Sequence, residues 1–250
     1  MGTAERKQQD REQREGLLLD TAHALLEEVG FSNLTLEKLA ARTDFSKGTI
    51  YNHFSSKEDL LTAMCVRGMQ LQLGLYLKAR DFSKISRERI MGLHYAYHVY
   101  AKRNPTLFMC VLSALSPHVM EKTSAERMED RRTLESRIAR VVDEVVKAAL
   151  DAGDIDDSQG FEVADLSFAN WALGFGTTAL LQSAQQAVSI RRLEVPVAFR
   201  RNVTLLLDGI GWHPLSRHHD YEPTWARLAT FFKEPGRRGD VRSSRKAVTA

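Results

Sequence analysis

Residues 35–60, TLEKLAARTDFSKGTIYNHFSSKEDL, decide the fold. Thr35 is a good N-cap, and Glu37 falls in the first turn, where the helix dipole favours an acid. A helix is expected over 36–42, with Leu36, Leu39 and Ala40 facing inward. Thr43, Asp44 and Phe45 make a tight turn, and Ser46 can cap a second short helix over 47–53. Ser55 and Glu58 have the Ser-x-x-Glu spacing of a capping box, which predicts a long third helix running toward Ala79. Ala40 and Ala41 are small where two helices must cross, and Phe45 anchors the turn. Ile50 and Phe54, at i and i+4, mark the buried side of the second short helix.

That periodicity leaves Lys47, Thr49, Tyr51, Asn52 and His53 outward. All are hydrogen-bonding types suited to base edges and phosphates. Gly48 lets the same helix approach a neighbour closely. A short polar helix held by a crossing helix and a tight turn is a means of entering the major groove of DNA.

Upstream, Leu18, Ala22, Leu25, Leu26 and Val29 recur at i, i+3, i+4, i+7 spacing, predicting an amphipathic helix over 11–29 that Gly30 stops in a left-handed conformation. Downstream, helices are expected over 85–103, 106–115, 120–150, 160–188, 195–210 and 223–232, with no period-2 strand. The fold class is therefore all-α: an N-terminal three-helix helix-turn-helix domain followed by a larger helical body. The expected organisation is a flexible arm over 1–10, the helix-turn-helix domain over 11–60, a ligand-binding and dimerisation domain over 61–235, and a basic, disordered tail over 236–250.

Composition excludes some classes without identifying one. Across 250 residues the chain is 43% hydrophobic and 27% charged, ordinary for a protein with a packed core. Its net charge is +3, yet residues 1–60 carry eight Lys/Arg against eleven Asp/Glu, a net of −3. Residues 236–250 carry five Lys/Arg against one Asp. DNA binding must rest on where charges sit, not on their sum. No apolar run reaches a membrane span, and MGTAERKQQDREQREG lacks a signal's apolar segment, so a cytoplasmic location is expected. Cys65 and Cys110 lie in apolar helical patterns and are read as reduced core residues.

With these residues in view, SKGTIYNHFSSKEDLL (46–61) resembles the signature of the tetracycline-repressor (TetR) family of transcriptional regulators, through its Ser-Lys-Gly, Tyr-x-x-Phe and Ser-Lys-Glu. The upstream Val29-Gly30-Phe31 and Thr35-Leu36-x-x-Leu39-Ala40 agree with it, and the likeness spans about residues 12–72. The resemblance implies that Thr35, Tyr51 and Lys57 contact the DNA backbone. It implies that Thr49, Asn52 and His53 face base edges, and that Ser46, Lys47 and Gly48 enter the groove at the helix N-terminus. Arg6, Lys7, Arg11 and Arg14 would partly offset the acidic head by reaching DNA. The implied partners are a double-stranded operator, a second copy of the chain and a small-molecule effector, with no cofactor.

One short recognition helix binds weakly, so a homodimer on two half-sites is expected. Its expected surface is the pair 161–188 and 195–210, where Ala169, Ala172, Gly176 and Ala179 permit close approach and Val203, Leu206 and Ile210 supply apolar contact. Met91, His94, Tyr97, His98, Phe108, Met109, Trp171 and Phe175, with Tyr95 and Tyr100 nearby, are the candidate lining of a cavity for a largely apolar effector. His94 and His98 have a spacing that metals accept, but no third ligand stands near them in sequence, so no metal site is expected. The charges on 120–150 read as a solvated face. No nucleophile triad, phosphate loop or dinucleotide turn is present, which argues against an enzyme. The reading is a ligand-responsive regulator, a repressor by preference. A helical interaction adaptor without specific DNA binding is the alternative.

Overall fold

In a computed structural model the described residues are 2–233 except 157 and 159. Four polar N-caps set the helices of the head and its junction with the body. Thr35 Oγ1 accepts from Lys38 N–H, opening α2 (Leu36–Ala41). Ser46 Oγ accepts from Thr49 N–H, opening α3 (Lys47–His53). Ser56 and Ser124 do the same for α4 (Lys57–Arg80) and α8 (Ala125–Asp151). Each such cap contributes about 1 kcal/mol by satisfying an otherwise orphaned amide.

The remaining helices are α1 (Thr3–Asn33), α5 (Ser86–Arg103), α6 (Pro105–Ala114), α7 (Pro117–Glu121), α9 (Val163–Ser183), α10 (Val188–Arg191), α11 (Val195–Gly209) and α12 (Glu222–Phe231). No strand occurs among the described residues; Ile155 and Trp212 form one isolated bridge. The class is all-α, with the helix-turn-helix head first and a larger helical body after it. No helix among the described residues is long and apolar enough to cross a membrane.

α4 is the axis of the molecule. It packs on α5, α6 and α8, and fourteen of its residues are buried, from Asp59 to Ala79. Its first turns join the head, whose core is Leu18, Ala22, Leu25, Leu26, Leu36, Leu39, Ile50 and Phe54. Cys65 and Cys110 are buried free thiols in the same continuous core. At the far end, fully buried Arg87 donates to Asp208 Oδ1 at 2.6 Å and to the carbonyl of Trp212. Glu88 accepts from Thr224 and Arg227, which holds α12 against α5.

Several expected boundaries move, each for a local reason. Residues 3–10, expected as an arm, continue α1, whose first turn is closed by Glu5 accepting from Gly2 N–H at 2.7 Å. Gly30 does take a left-handed φ of 73°, but helix resumes for one turn to Asn33. The cap of α4 lies one residue later than expected, at Ser56, because its N3 residue is Asp59, whose Oδ2 also binds Ser55 N–H at 3.0 Å. The helix expected over 120–150 is two, since Ser124 caps a new start at Ala125. The stretch 160–188 is helical only over α9, with α10 a separate turn. The basic stretch 236–250 lies outside the described residues.

Candidate DNA interface and effector cavity

The head presents α3 outward. Lys47, Gly48, Tyr51 and Asn52 are exposed, and Thr49 is half-buried. Ser46 Oγ and Thr49 Oγ1 are 3.0 Å apart, so both hydroxyls sit at the α3 N-terminus. A Cβ placed on Gly48 would meet only Ser46 Oγ, at 3.8 Å. Nothing inside the chain therefore requires glycine there. The Tyr51 hydroxyl donates to Glu37 Oε1 at 2.7 Å, which lowers the Glu37 pKa and raises that of Tyr51. Thr35 is half-buried and Lys38 donates to its own head, at the Asn33 carbonyl.

Two expected DNA contacts are held elsewhere. His53 is only 8% exposed and faces α1, with Nδ1 3.6 Å from Glu15 Oε2. It stands three residues after Ile50 and so shares the buried side of the helix, which corrects its expected outward position. Burial lowers its pKa, against the opposing pull of Glu15. Lys57 Nζ donates to the carbonyls of Phe31 and Ser32 at 2.5 and 3.4 Å, where a cation suits the C-terminal end of α1. A backbone contact by Lys57 requires that it leave those carbonyls. Of the arm's cations, Arg11 lies 3.8 Å from Glu126 and Arg14 donates to the Asp10 carbonyl.

The body encloses a cavity of about 520 Å³, within the range that holds a drug-sized molecule. α4 supplies Cys65, Met69, Gln72 and Tyr76, and α5 supplies Ile90, Leu93, His94 and Tyr97. α6 and its C-cap add Val111 and Leu115, while α8 adds Arg131, Glu135, Ile138, Ala139 and Val142. The last wall is α9, with Ser167, Phe168, Asn170, Trp171, Gly174 and Phe175. Phe168 and Trp171 are exposed, with ring centroids 6.0 Å apart, and mark the mouth.

His94 Nε2 lies 2.8 Å from Asn170 Oδ1, and Asn170 Nδ2 donates to the Leu166 carbonyl. That orientation makes Asn170 Oδ1 an acceptor and His94 Nε2 the donor. Burial holds the His94 pKa down to about 4, so the ring is neutral at physiological pH. Arg131 is buried and donates to Glu135 Oε1 at 2.8 Å and to the Ala114 carbonyl at 2.5 Å.

Of the expected lining, His94, Tyr97, Trp171 and Phe175 reach the cavity. Met91, His98, Phe108 and Met109 do not. On α5 the face carrying Ile90, Leu93, His94 and Tyr97 turns to the cavity, whereas His98 faces α11 and stacks on Phe199 at 4.6 Å. Met91 is buried off the lining, and Phe108 sits behind it, edge-on to Tyr97. Met109 Sδ instead accepts from Ser183 Oγ at 3.5 Å. The α8 wall was hidden by composition: Arg131 and Glu135 looked like solvated charges, yet Arg131 is turned inward. Its signal was the apolar Leu134, Ile138, Val141, Val142, Val145 stripe running beside them. Among the described residues no group of three His, Cys, Asp or Glu is placed to hold a metal.

On the α9–α11 face, Ala172 is exposed and Ala169, Gly176, Ala179 and Leu206 are half-buried. Val203 and Ile210 are not on it: they are 1% and 9% exposed inside their own chain. They fall with Phe199 and Leu207 on the inward stripe of α11. Leu180 on α9 and Leu205 on α11 are among the large apolar residues that do face outward, the latter 70% exposed.

Comparison with known proteins agrees with this arrangement. Residues 18–64 match the family described as bacterial regulatory proteins, tetR family. Among solved structures, a tetR-family bacterial regulatory protein from Rhodococcus RHA1 superposes with a TM-score of 0.60 at 20% identity, covering 79% of this chain and 97% of that one. The transcriptional regulator FadR from Bacillus subtilis, solved in complex with stearoyl-CoA, gives 0.58 at 16% identity, covering 77% and 97%. The TetR-family regulator PfmR from Thermus thermophilus gives 0.54 at 19% identity, covering 76% and 97%. No curated protein matches significantly. The chain carries the N-terminal domain of the tetR family of bacterial regulatory proteins, set on a helical body of the same fold as those regulators.

Proposed function

We propose that the protein is a ligand-responsive transcriptional repressor that binds a palindromic operator as a homodimer. The observation that carries this is the junction of two sites by one helix. α8 forms a wall of the cavity at Arg131, Glu135, Ile138, Ala139 and Val142, and its first turns hold the head. Ser124 N–H and Oγ donate to Asp59 Oδ1 at 3.1 and 2.8 Å, and Arg127 pairs with Glu15 at 2.8 Å.

A small, largely apolar effector that moves α8 would therefore move α1 and α4, and with them α3. Operator affinity then falls by as much as the effector prefers the displaced state. The contacts we assign to DNA are Ser46, Lys47, Gly48, Thr49, Tyr51 and Asn52, with Thr35 and Lys57 on the backbone. Dimerisation through α9 and α11 supplies the second α3. From the FadR neighbour we carry over only that a body of this fold accommodates an apolar chain.

The test is selection of bound duplexes from a random library at physiological salt. An inverted repeat whose binding is lost in a folded Tyr51→Ala variant supports the reading. Recovery of salt-labile, sequence-independent binding alone would remove it.

A further inference from the structure

We infer that the cavity selects an uncharged molecule, an apolar body carrying one hydroxyl or N–H donor that bonds His94 Nδ1, and that it rejects carboxylates. This rests on reading the cavity as the effector site. Two independent features of the lining lead to it.

The first is the charge balance of the wall. Arg131 and Glu135 are the charged residues that line the cavity, and they are already paired at 2.8 Å. Arg131 Nη1 donates to the Ala114 carbonyl, so the face of the guanidinium nearest Glu135 is already committed, and the Arg131–Glu135 pair as a whole is neutral. A carboxylate entering here gives up its water, finds a guanidinium that already has its anion, and meets the repulsion of Glu135. An ion desolvated without a partner is strongly disfavoured. An uncharged ligand meets none of this.

The second feature is the polarity of the rest of the lining, from α4, α5 and α9. Gln72, Tyr76, His94, Tyr97, Ser167 and Asn170 are all neutral groups there. With Nε2–H given to Asn170, His94 keeps Nδ1 as an acceptor, and no described residue donates to it. Nδ1 lies 3.2 Å from where a Cβ on Gly174 would stand. Glycine at 174 therefore lets α9 pass this close to His94 without a side chain pressing on Nδ1, and both residues line the cavity. Burial keeps the ring neutral, so Nδ1 stays an acceptor at physiological pH.

The test is isothermal titration of the full chain with three probes of one length: decan-1-ol, methyl decanoate and decanoate. The alcohol is expected to bind roughly tenfold more tightly than the ester, which lacks a donor, the size of one good hydrogen bond. Decanoate is expected to bind weakest, by about a further tenfold or more. His94→Phe should bring alcohol and ester together. Glu135→Gln, which frees Arg131, should raise decanoate affinity by roughly tenfold and leave the alcohol unchanged. If decanoate binds the native protein as tightly as the alcohol, the charge selection is wrong while the cavity remains a ligand site. If the ester matches the alcohol, the His94 acceptor role is wrong. If none of the three binds, the cavity reading itself fails and this inference with it.

Discussion

Arg127 Nη1 on α8 lies 2.8 Å from Glu15 Oε1 on α1, and the other oxygen of Glu15 lies 3.6 Å from His53 at the end of α3. The side chains of Arg127 and Glu15 are 12% and 19% exposed, so the pair is partly shielded from solvent. One carboxylate thus stands between a helix that lines the cavity and the helix that faces outward from the head. The link explains why His53 is turned in: it is the α3 residue positioned to meet Glu15.

Replacing Arg127 with Met keeps the aliphatic stem and removes the charge. The expected loss of stability is about 1–2 kcal/mol, between an exposed pair and a fully buried one. Urea unfolding checks it. Fluorescence anisotropy on a selected duplex should show operator binding retained and effector-driven release reduced. Undiminished release would place the coupling in α4 alone.

Gly48→Ala separates folding from DNA binding. The new Cβ meets nothing closer than 3.8 Å in the chain, and alanine favours helix over glycine by about 0.5–1 kcal/mol. The variant should melt slightly higher than the native protein yet bind its operator roughly tenfold more weakly, because the methyl group occupies the space where α3 nears the duplex. A variant with native operator affinity would mean that the α3 N-terminus stands clear of the groove.

The head was legible because its signals are local. Thr35, Ser46, the turn at Phe45 and the Ile50–Phe54 spacing fix short helices within a few residues, and the boundaries of α3 came out as read. The faces of helices were less legible wherever two polar or apolar sides compete. His53 reads as outward because its type suits DNA, yet it stands three residues after Ile50 on the buried side of α3, where Glu15, 38 positions away, receives it. Arg131 looked solvated because Arg usually is. Val203 and Ile210 looked available for a partner because an apolar stripe does not say whether its neighbour belongs to the same chain. Half of the expected cavity lining failed for one reason: aromatic and sulfur residues on α5 and α6 pack the core on several sides, and the cavity adjoins one of them.

Stability should fall on acidification in a window set by histidines. His94 is depressed from 6.5 to about 4, and His53 and His98 are also lowered, in each case chiefly by burial. Below pH 6.5 the unfolded chain binds protons that the folded chain refuses, so stability is full above 6.5 and is lost as pH drops toward 4. His94 alone accounts for roughly 3 kcal/mol across that interval. The lowered carboxylates Glu88 and Asp208 act in the same direction but below about 4.5. Urea midpoints at pH 7.5, 6.0 and 5.0 should decline in the native protein and decline less in His94→Gln, which cannot titrate. Parallel curves would assign the loss to other groups.

Leu205 offers the cleanest probe of self-association. It is 70% exposed on α11, with Leu180, 55% exposed, on the neighbouring α9, while Val203 two residues earlier is buried. Lysine at 205 therefore alters the outer face and leaves the core of the chain untouched. If two copies meet on this face, burying an unpaired ammonium at its centre opposes association strongly. Light scattering after size exclusion should then report a native dimer and a Leu205→Lys monomer of unchanged melting behaviour at low concentration. The monomer should also lose affinity for an inverted repeat far more than for a single half-site, since only the paired heads can span both. A Leu205→Lys protein that remains dimeric would move the interface away from α11.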